Sequence, residues 1–344
     1  LSTLAPRASN YLAVVEPAKL PTVPIAPNVS LSILLAVAIA VAIAVGAVFL
    51  IEYVDDTLKT PEDVARSLNL SNLGAIAKIW GEDIGDRLIT VKYPRASHSE
   101  AYRAIRTNIQ VVSLDKPLKT LLVTSANPRE GKSITAANLA VVMALSGQRV
   151  LLVDADMRRP NQHKIHQLSN DFGLVNALLN PGAGLDTFVQ STDTENLWVL
   201  TTGPIPPNPA ELLDSRHMAE LISQLKNKFD LVIFDTPPIL PRIDATILAR
   251  SVDGVVLVVN AGHTRREAAN RAKATLAHAG GRILGVVLNR VAHQSYDYYY
   301  YYSEHTQSKS SQLMKTSVGR ILVRLIRPFR PLKDSPSGVS RHSP

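Results

Sequence analysis

Apolar residues are spread along this chain in two different ways. From 29 to 51 they run for 23 positions without a charge. At 1.5 Å of rise per residue, such a helix spans about 34 Å, enough to cross the hydrocarbon core of a bilayer. Ala36, Ala38, Ala40, Ala42, Ala44 and Gly46 alternate with branched residues, which is the period of a strand. Length and uniform apolarity favour a transmembrane helix instead. The small residues fall into two stripes that let neighbouring helices approach closely. A helix buried in a soluble core is the competing reading. A secretory signal fits less well, because no basic region precedes the run.

Beyond residue 118 the pattern changes to short apolar runs separated by helical stretches. Strands are predicted at 119–125, 149–154, 197–202, 231–235, 254–260 and 283–289. Near-continuous apolar strands with helices between them predict an α/β fold, a parallel sheet covered on both faces. Ligands of such sheets bind outside the carboxyl ends of the strands. Residues 52–98 read as a polar juxtamembrane linker, with a short helix starting at Thr60-Pro61-Glu62-Asp63. Thr60 is suited to cap it and Pro61 to its first position.

The run after the first of these strands carries chemistry. Ala126, four residues, then Gly131-Lys132-Ser133 fits a phosphate-binding loop with Ala in place of the first Gly. Backbone N–H groups at a helix start lack helical partners and so bind anions. Gly131 lets the backbone approach phosphate, Lys132 supplies a point charge, and Ser133 offers a hydroxyl to Mg²⁺. Two acidic sites fall at strand ends: Asp154 with Asp156, and Asp235. A lone Asp after an apolar strand is usually a cap or turn residue. Three in register with a phosphate loop point to metal or to the reacting oxygens. Asp235 is the natural Mg²⁺ ligand, with Asp154 and Asp156 as candidates for metal, water or an acceptor hydroxyl.

Together these residues resemble the bacterial tyrosine kinases (BY-kinases) of polysaccharide co-polymerase assemblies. The loop Ser125 to Ser133 is similar to that family's Walker A motif, Val153 to Arg158 to its A′ motif, and Phe234 to Pro238 to its Walker B motif. The stretch Gly203 to Leu213 matches a family-specific segment. Glu100, Arg103 and Arg106 fit its ExxRxxR oligomerisation element; without the resemblance they read as a solvated charged face. The resemblance implies a P-loop NTPase-like sheet at 99–292 and ATP with Mg²⁺ as cofactors. It implies loop contacts from Asn127, Pro128, Arg129, Glu130, Gly131, Lys132, Ser133 and Ile134, and adenine contacts from Asn289 and Arg290. Catalysis then falls to Lys132, Asp154, Asp156 and Asp235, with Ser133, Asp154 and Asp235 around the metal.

Residues 293–305 hold Tyr296, Tyr298, Tyr299, Tyr300, Tyr301 and Tyr302. The resemblance makes them autophosphorylation sites; the cluster starts five residues after Val291 ends the last strand, at the nucleotide edge of the sheet, which points to phosphorylation between subunits. An aromatic patch that stacks on itself or on single-stranded nucleic acid is the alternative. Charge weighs against nucleic acid as a partner. Residues 306–344 carry eight Lys or Arg and one acid, so the body contributes little to the net charge of +8. That tail reads either as a surface-bound amphipathic helix near 319–332 or as a solvated segment. The chain has no Cys, which excludes disulfides and thiolate metal sites.

The expectation is a membrane-anchored tyrosine autokinase controlling capsular or exopolysaccharide polymerisation and export. It sits in the bacterial inner (plasma) membrane with the kinase domain cytoplasmic. The expected partners are other copies of itself, polymerase and export proteins, a phosphotyrosine phosphatase and membrane lipids. Residues 1–28 are expected to be the end of a missing external chain-length domain, the first residue being Leu rather than Met. A Min/Par-type ATPase is a second reading, opposed by Asn127 where that group commonly carries a Lys. A nucleotide-dependent scaffold without catalysis is a third.

Overall fold

The computed structural model describes residues 28–81 and 83–292, in two units divided after Asp56. The first holds one long helix, α1 (Val29–Val54), whose N-terminus is capped by the Asn28 side chain. It continues past the uncharged run, and none of its side chains is buried. Among the described residues it is the one helix long and apolar enough to cross a membrane.

The second unit is built on an eight-stranded sheet. Its strands are β1 (Asn72–Ala77), β2 (Thr120–Ser125), β3 (Val150–Asp154), β4 (Gln190–Ser191), β5 (Leu197–Leu200), β6 (Leu231–Asp235), β7 (Gly254–Asn260) and β8 (Ile283–Val291). They stand side by side in the order β1-β8-β7-β2-β6-β3-β5-β4, parallel throughout except for β4 against β5. The helices are α2 (Pro61–Leu68), α3 (Ile89–Lys92), α4 (Ser97–Val112), α5 (Lys132–Ala144), α6 (Gln162–His166), α7 (Leu174–Leu179), α8 (Pro209–Leu213), α9 (Arg216–Lys228), α10 (Asp244–Ala249) and α11 (Arg266–His278).

Strand side chains alternate between two cores. Leu122, Leu151, Val153, Val232, Phe234, Val255 and Leu257 point into one, with α9, α10 and α11. Leu121, Val123, Val150, Leu152, Ile233, Val256 and Val258 point into the other, with α4 and α5. Burial on both faces explains why these strands read as continuous apolar runs rather than as alternations. Each fully buried Val or Leu contributes about 1.5–3 kcal/mol.

The stretch read as a linker at 52–98 needs correction. From Thr57 onward it belongs to the folded unit. Leu58 exchanges backbone hydrogen bonds with Thr264 (2.9 Å) and Gly262 (2.8 Å). The expected helix is α2: Thr60 Oγ1 accepts from the Asp63 N–H at 3.2 Å, and Asp63 Oδ2 accepts from the Thr60 N–H at 3.1 Å. Next comes β1, an unpredicted edge strand that pairs with β8 from Asn72↔Val286 onward. Gly74 interrupts its apolar pattern for a packing reason. A Cβ there would lie 2.5 Å from Ile105 Cγ1 of α4.

Candidate active site

Three neighbouring strands end together. In register, Val123 of β2 faces Asp235 of β6, which faces Asp154 of β3. The loop after β2 therefore lies beside both carboxylates, as strand order in the sequence could not reveal. Arg129 (φ 65°) and Gly131 (φ 99°) both adopt left-handed backbone. Such a curl turns successive N–H groups toward one concavity, an anion nest. Gly131 then becomes the N-cap of α5, which opens with Lys132, Ser133 and Ile134.

Lys132 is the electrostatic centre. Its Nζ lies 2.8 Å from Asp156 Oδ2, 3.6 Å from Asp235 Oδ1 and 3.1 Å from Ser133 Oγ. Burial alone lowers its pKa, but Asp235 and Asp156 outweigh burial and hold it above the usual lysine value. Asp235 is fully buried, and burial pushes its carboxyl up, with Lys132 opposing. One of its oxygens, Oδ2, accepts from Gln162 Nε2 at 2.8 Å. The other, Oδ1, is buried without a hydrogen bond among the described residues.

Asp154 is engaged differently. Its Oδ2 accepts from the backbone N–H groups of Asn161 (2.9 Å) and Gln162 (2.8 Å), and its Oδ1 from that of Asp156 (3.3 Å). It therefore shapes the loop that follows β3. Burial, reinforced by Asp235, pushes its carboxyl up to about 8. Because the folded state holds that proton more tightly than the unfolded chain, stability from this group falls as pH rises from about 4 to about 8. Asp154→Asn removes the titration. In nucleotide-free protein, its Tm relative to the parent is expected to rise steadily from about pH 5 to about pH 8.5. A difference that stays flat across that window would contradict this.

Gln162 was not legible in the sequence as a site residue. Buried at the start of α6, it donates from Nε2 to Asp235 Oδ2 and to the Ser133 carbonyl at 3.1 Å. One side chain thus ties the helix after the phosphate loop to the carboxylate at the end of β6. Gln162→Leu leaves Asp235 Oδ2 buried without its donor, at a cost of about 1–3 kcal/mol. The expected result is a lower Tm together with a weaker Mg²⁺ dependence of ADP binding; unchanged values for both would exclude the tie.

Of the other loop residues, Pro128 and Arg129 are exposed and Asn127 is half-buried. The Glu130 side chain turns inward, accepting from Thr264 Oγ1 (2.7 Å) and from Asn127 N and Nδ2 (3.1 and 3.2 Å). Burial raises its carboxyl above the usual range despite those donors. Its carbonyl accepts from Asn289 Nδ2 at 2.9 Å, which joins the end of β8 to the loop. Asn289, Arg290, Gly131, Ile134, Arg87 and Trp80 line a cleft of about 270 Å³ next to the nest. Arg158 reaches across to the buried Asp244 of α10 through a two-pronged ion pair (2.8 and 3.2 Å), fixing the loop after β3.

This geometry has known relatives. A family model of the AAA domain matches residues 129–279. The tyrosine-protein kinase YwqD of Bacillus subtilis is 46% identical over 228 residues, covering 65% of this chain and 96% of that protein. The chain belongs to the bacterial tyrosine kinases. Among solved structures, the chimerical protein CapA2B2 superposes with a TM-score of 0.64 at 41% identity, covering 68% of this chain and all of that one. The tyrosine-protein kinase etk of Escherichia coli K12 is 30% identical over 320 residues, 88% of this chain; the chain spans 44% of that longer protein.

In this kinase the ExxRxxR residues lie on α4, all half-buried. Glu100 pairs with Arg103, which also donates to the Pro94 carbonyl at 2.8 Å. Arg106 donates to the Val142 carbonyl of α5 at 3.0 Å. The tyrosines from Tyr296 to Tyr302 and the basic tail lie outside the described residues.

Proposed function

We propose that this kinase is a membrane-anchored autokinase, moving the terminal phosphoryl group of ATP onto Tyr296 and Tyr298 to Tyr302 of an adjacent copy. The observation that carries the reading is the set of groups around Lys132: one buried cation, the carboxylates of Asp156 and Asp235, and the Ser133 hydroxyl at the mouth of an N–H nest. Lys132 and the loop amides hold the phosphates. Asn289 and Arg290, with Ile134, flank the base in the adjoining cleft.

A divalent metal fits the donor set. Asp235 Oδ1 is buried without a hydrogen bond, and the Ser133 hydroxyl stands on the same cation. Those oxygens, one carboxylate and one hydroxyl, suit Mg²⁺, which keeps waters for the rest of its shell. Bound there with the nucleotide, the ion would neutralise charge on the transferring phosphate. Asp154 is engaged with backbone amides, so Asp156 is the better placed to accept the proton of the incoming tyrosine hydroxyl. Lys132, bonded to Asp156, holds that carboxylate in position.

The finer biology is part of the proposal. Helix α1 anchors the kinase in the inner membrane with the nucleotide side cytoplasmic. Glu100, Arg103 and Arg106 contribute to contacts between copies. Capsule or exopolysaccharide polymerisation and export is the controlled process, with its polymerase and export proteins as partners and a phosphotyrosine phosphatase as the opposing activity. The capsule-related names of relatives such as CapB of Staphylococcus aureus support this.

Transfer between copies is tested by mixing a Lys132→Met chain with a chain whose six cluster tyrosines are Phe. The expected outcome is phosphotyrosine on the Lys132→Met chain. Its absence, with parent protein labelling normally alongside, would refute transfer in trans.

A further inference from the structure

A second cavity of the folded unit, about 600 Å³, adjoins the nucleotide cleft, with which it shares Lys78, Trp80 and Arg290. It opens where β1, β7 and β8 end. Its basic lining consists of Lys59, Lys78 and Arg290 with the His98 imidazole beside them, and none of its described lining residues is acidic. Trp80 forms an aromatic wall, with Lys78 Nζ 3.9 Å from its ring centre. An arene beside clustered cations suits an aromatic ring that carries an anionic group.

Ala292, the last described residue of the chain, lines this same cavity. Tyr296 follows four residues later and Tyr302 ten residues later. At 3.3–3.6 Å per residue, the cluster reaches about 13–36 Å from that exit, so the tyrosines can fold back into the groove. Residues 293–305 hold two acids, Asp297 and Glu304, and no Lys or Arg. Each phosphate adds about −1.5 to −2. Phosphorylation therefore turns a weakly acidic segment into a strongly anionic one beside a groove of the opposite sign.

We propose that the phosphorylated tyrosine segment docks into this cationic groove of its own subunit. The inference rests on the autokinase reading, and adds that the product is held in cis, away from the neighbouring active site. A tether this short gives a millimolar effective concentration, so modest intrinsic affinity suffices. Lys78, Trp80 and Arg290 also line the nucleotide cleft, so docking is coupled to nucleotide binding.

Trp80 is the reporter. The only other tryptophan, Trp198, packs on Phe229, and the Trp80→Phe protein supplies its signal for subtraction. Full-length protein is phosphorylated with Mg-ATP, freed of nucleotide, and compared with the same sample after phosphatase treatment; mass spectrometry gives occupancy at Tyr296 to Tyr302. In parallel, a synthetic 293–304 peptide bearing phosphotyrosine at position 298 is titrated into unphosphorylated protein. Its affinity is expected to be at least tenfold above that of the unphosphorylated peptide, and to fall at least tenfold in Lys59→Glu. The phosphorylated chain should show the same Trp80 change, independent of protein concentration and reversed by phosphatase. An unchanged Trp80 signal at confirmed occupancy, or a change that disappears on dilution, would overturn docking in cis. If no phosphotyrosine forms, the kinase reading fails by itself, and equal affinity for the two peptides would still overturn the groove assignment.

Discussion

Lys132→Met is expected to lower tyrosine phosphorylation by at least about 10²–10³-fold, the loss seen when one preorganised charge-stabilising donor is removed. Met preserves the volume, so the change isolates charge. The consequence extends to the free protein. Asp156 and Asp235 are left buried around a missing cation, their side chains 6% and 0% exposed. Removing one partner of a buried ion pair costs about 3–5 kcal/mol. Asp235 relieves this by taking up a proton: its folded value, already raised by burial, rises further without the cation, so the penalty is full at alkaline pH and fades as pH falls. Thermal melts of both proteins across that range check it. Equal stability at alkaline pH would mean that Lys132 is not the counter-ion of the cluster.

Gly131→Ala is expected to weaken nucleotide binding at least tenfold. Two independent effects combine. At φ 99° a side chain costs about 1–2 kcal/mol. The new Cβ would also stand 1.9 Å from Asn289 Nδ2, so the hydrogen bond that ties β8 to the loop cannot survive. Gly147 supplies the control. It too is left-handed, at φ 91°, but a Cβ there meets nothing within 4 Å. Gly147→Ala should cost only the backbone term and leave ADP affinity as in the parent. Titration calorimetry with ADP and melting curves separate the two outcomes. An undiminished affinity in Gly131→Ala would show that the loop does not hold phosphate.

Much of this was legible because burial on both faces leaves an unmistakable pattern. β6 and β7 begin and end where their apolar runs do, since no residue in them faces water. The site residues were legible where a local motif implies a local geometry, as with Gly131, Lys132 and Ser133. What stayed hidden depends on contacts far apart in sequence. β1 has a glycine at its centre because α4 presses on it, and nothing near Gly74 announces Ile105. Gln162 has no motif; its role comes from the side-by-side placement of β3 and β6. Asp154 was expected near the metal, yet its oxygens are engaged by the backbone of 156–162, a fact of loop geometry rather than residue type. Glu130 lies within the motif, but its carboxyl faces Thr264, 134 positions away.

The central claim is that the charge cluster around Lys132 delivers phosphate to the tyrosines at 296–302. Full-length protein in lipid, incubated with Mg-ATP and then digested for phosphopeptide mapping, tests it most directly. Phosphotyrosine concentrated at those six positions, and absent in Lys132→Met, is the predicted result. Protein that binds ATP normally but carries no phosphotyrosine there would contradict it.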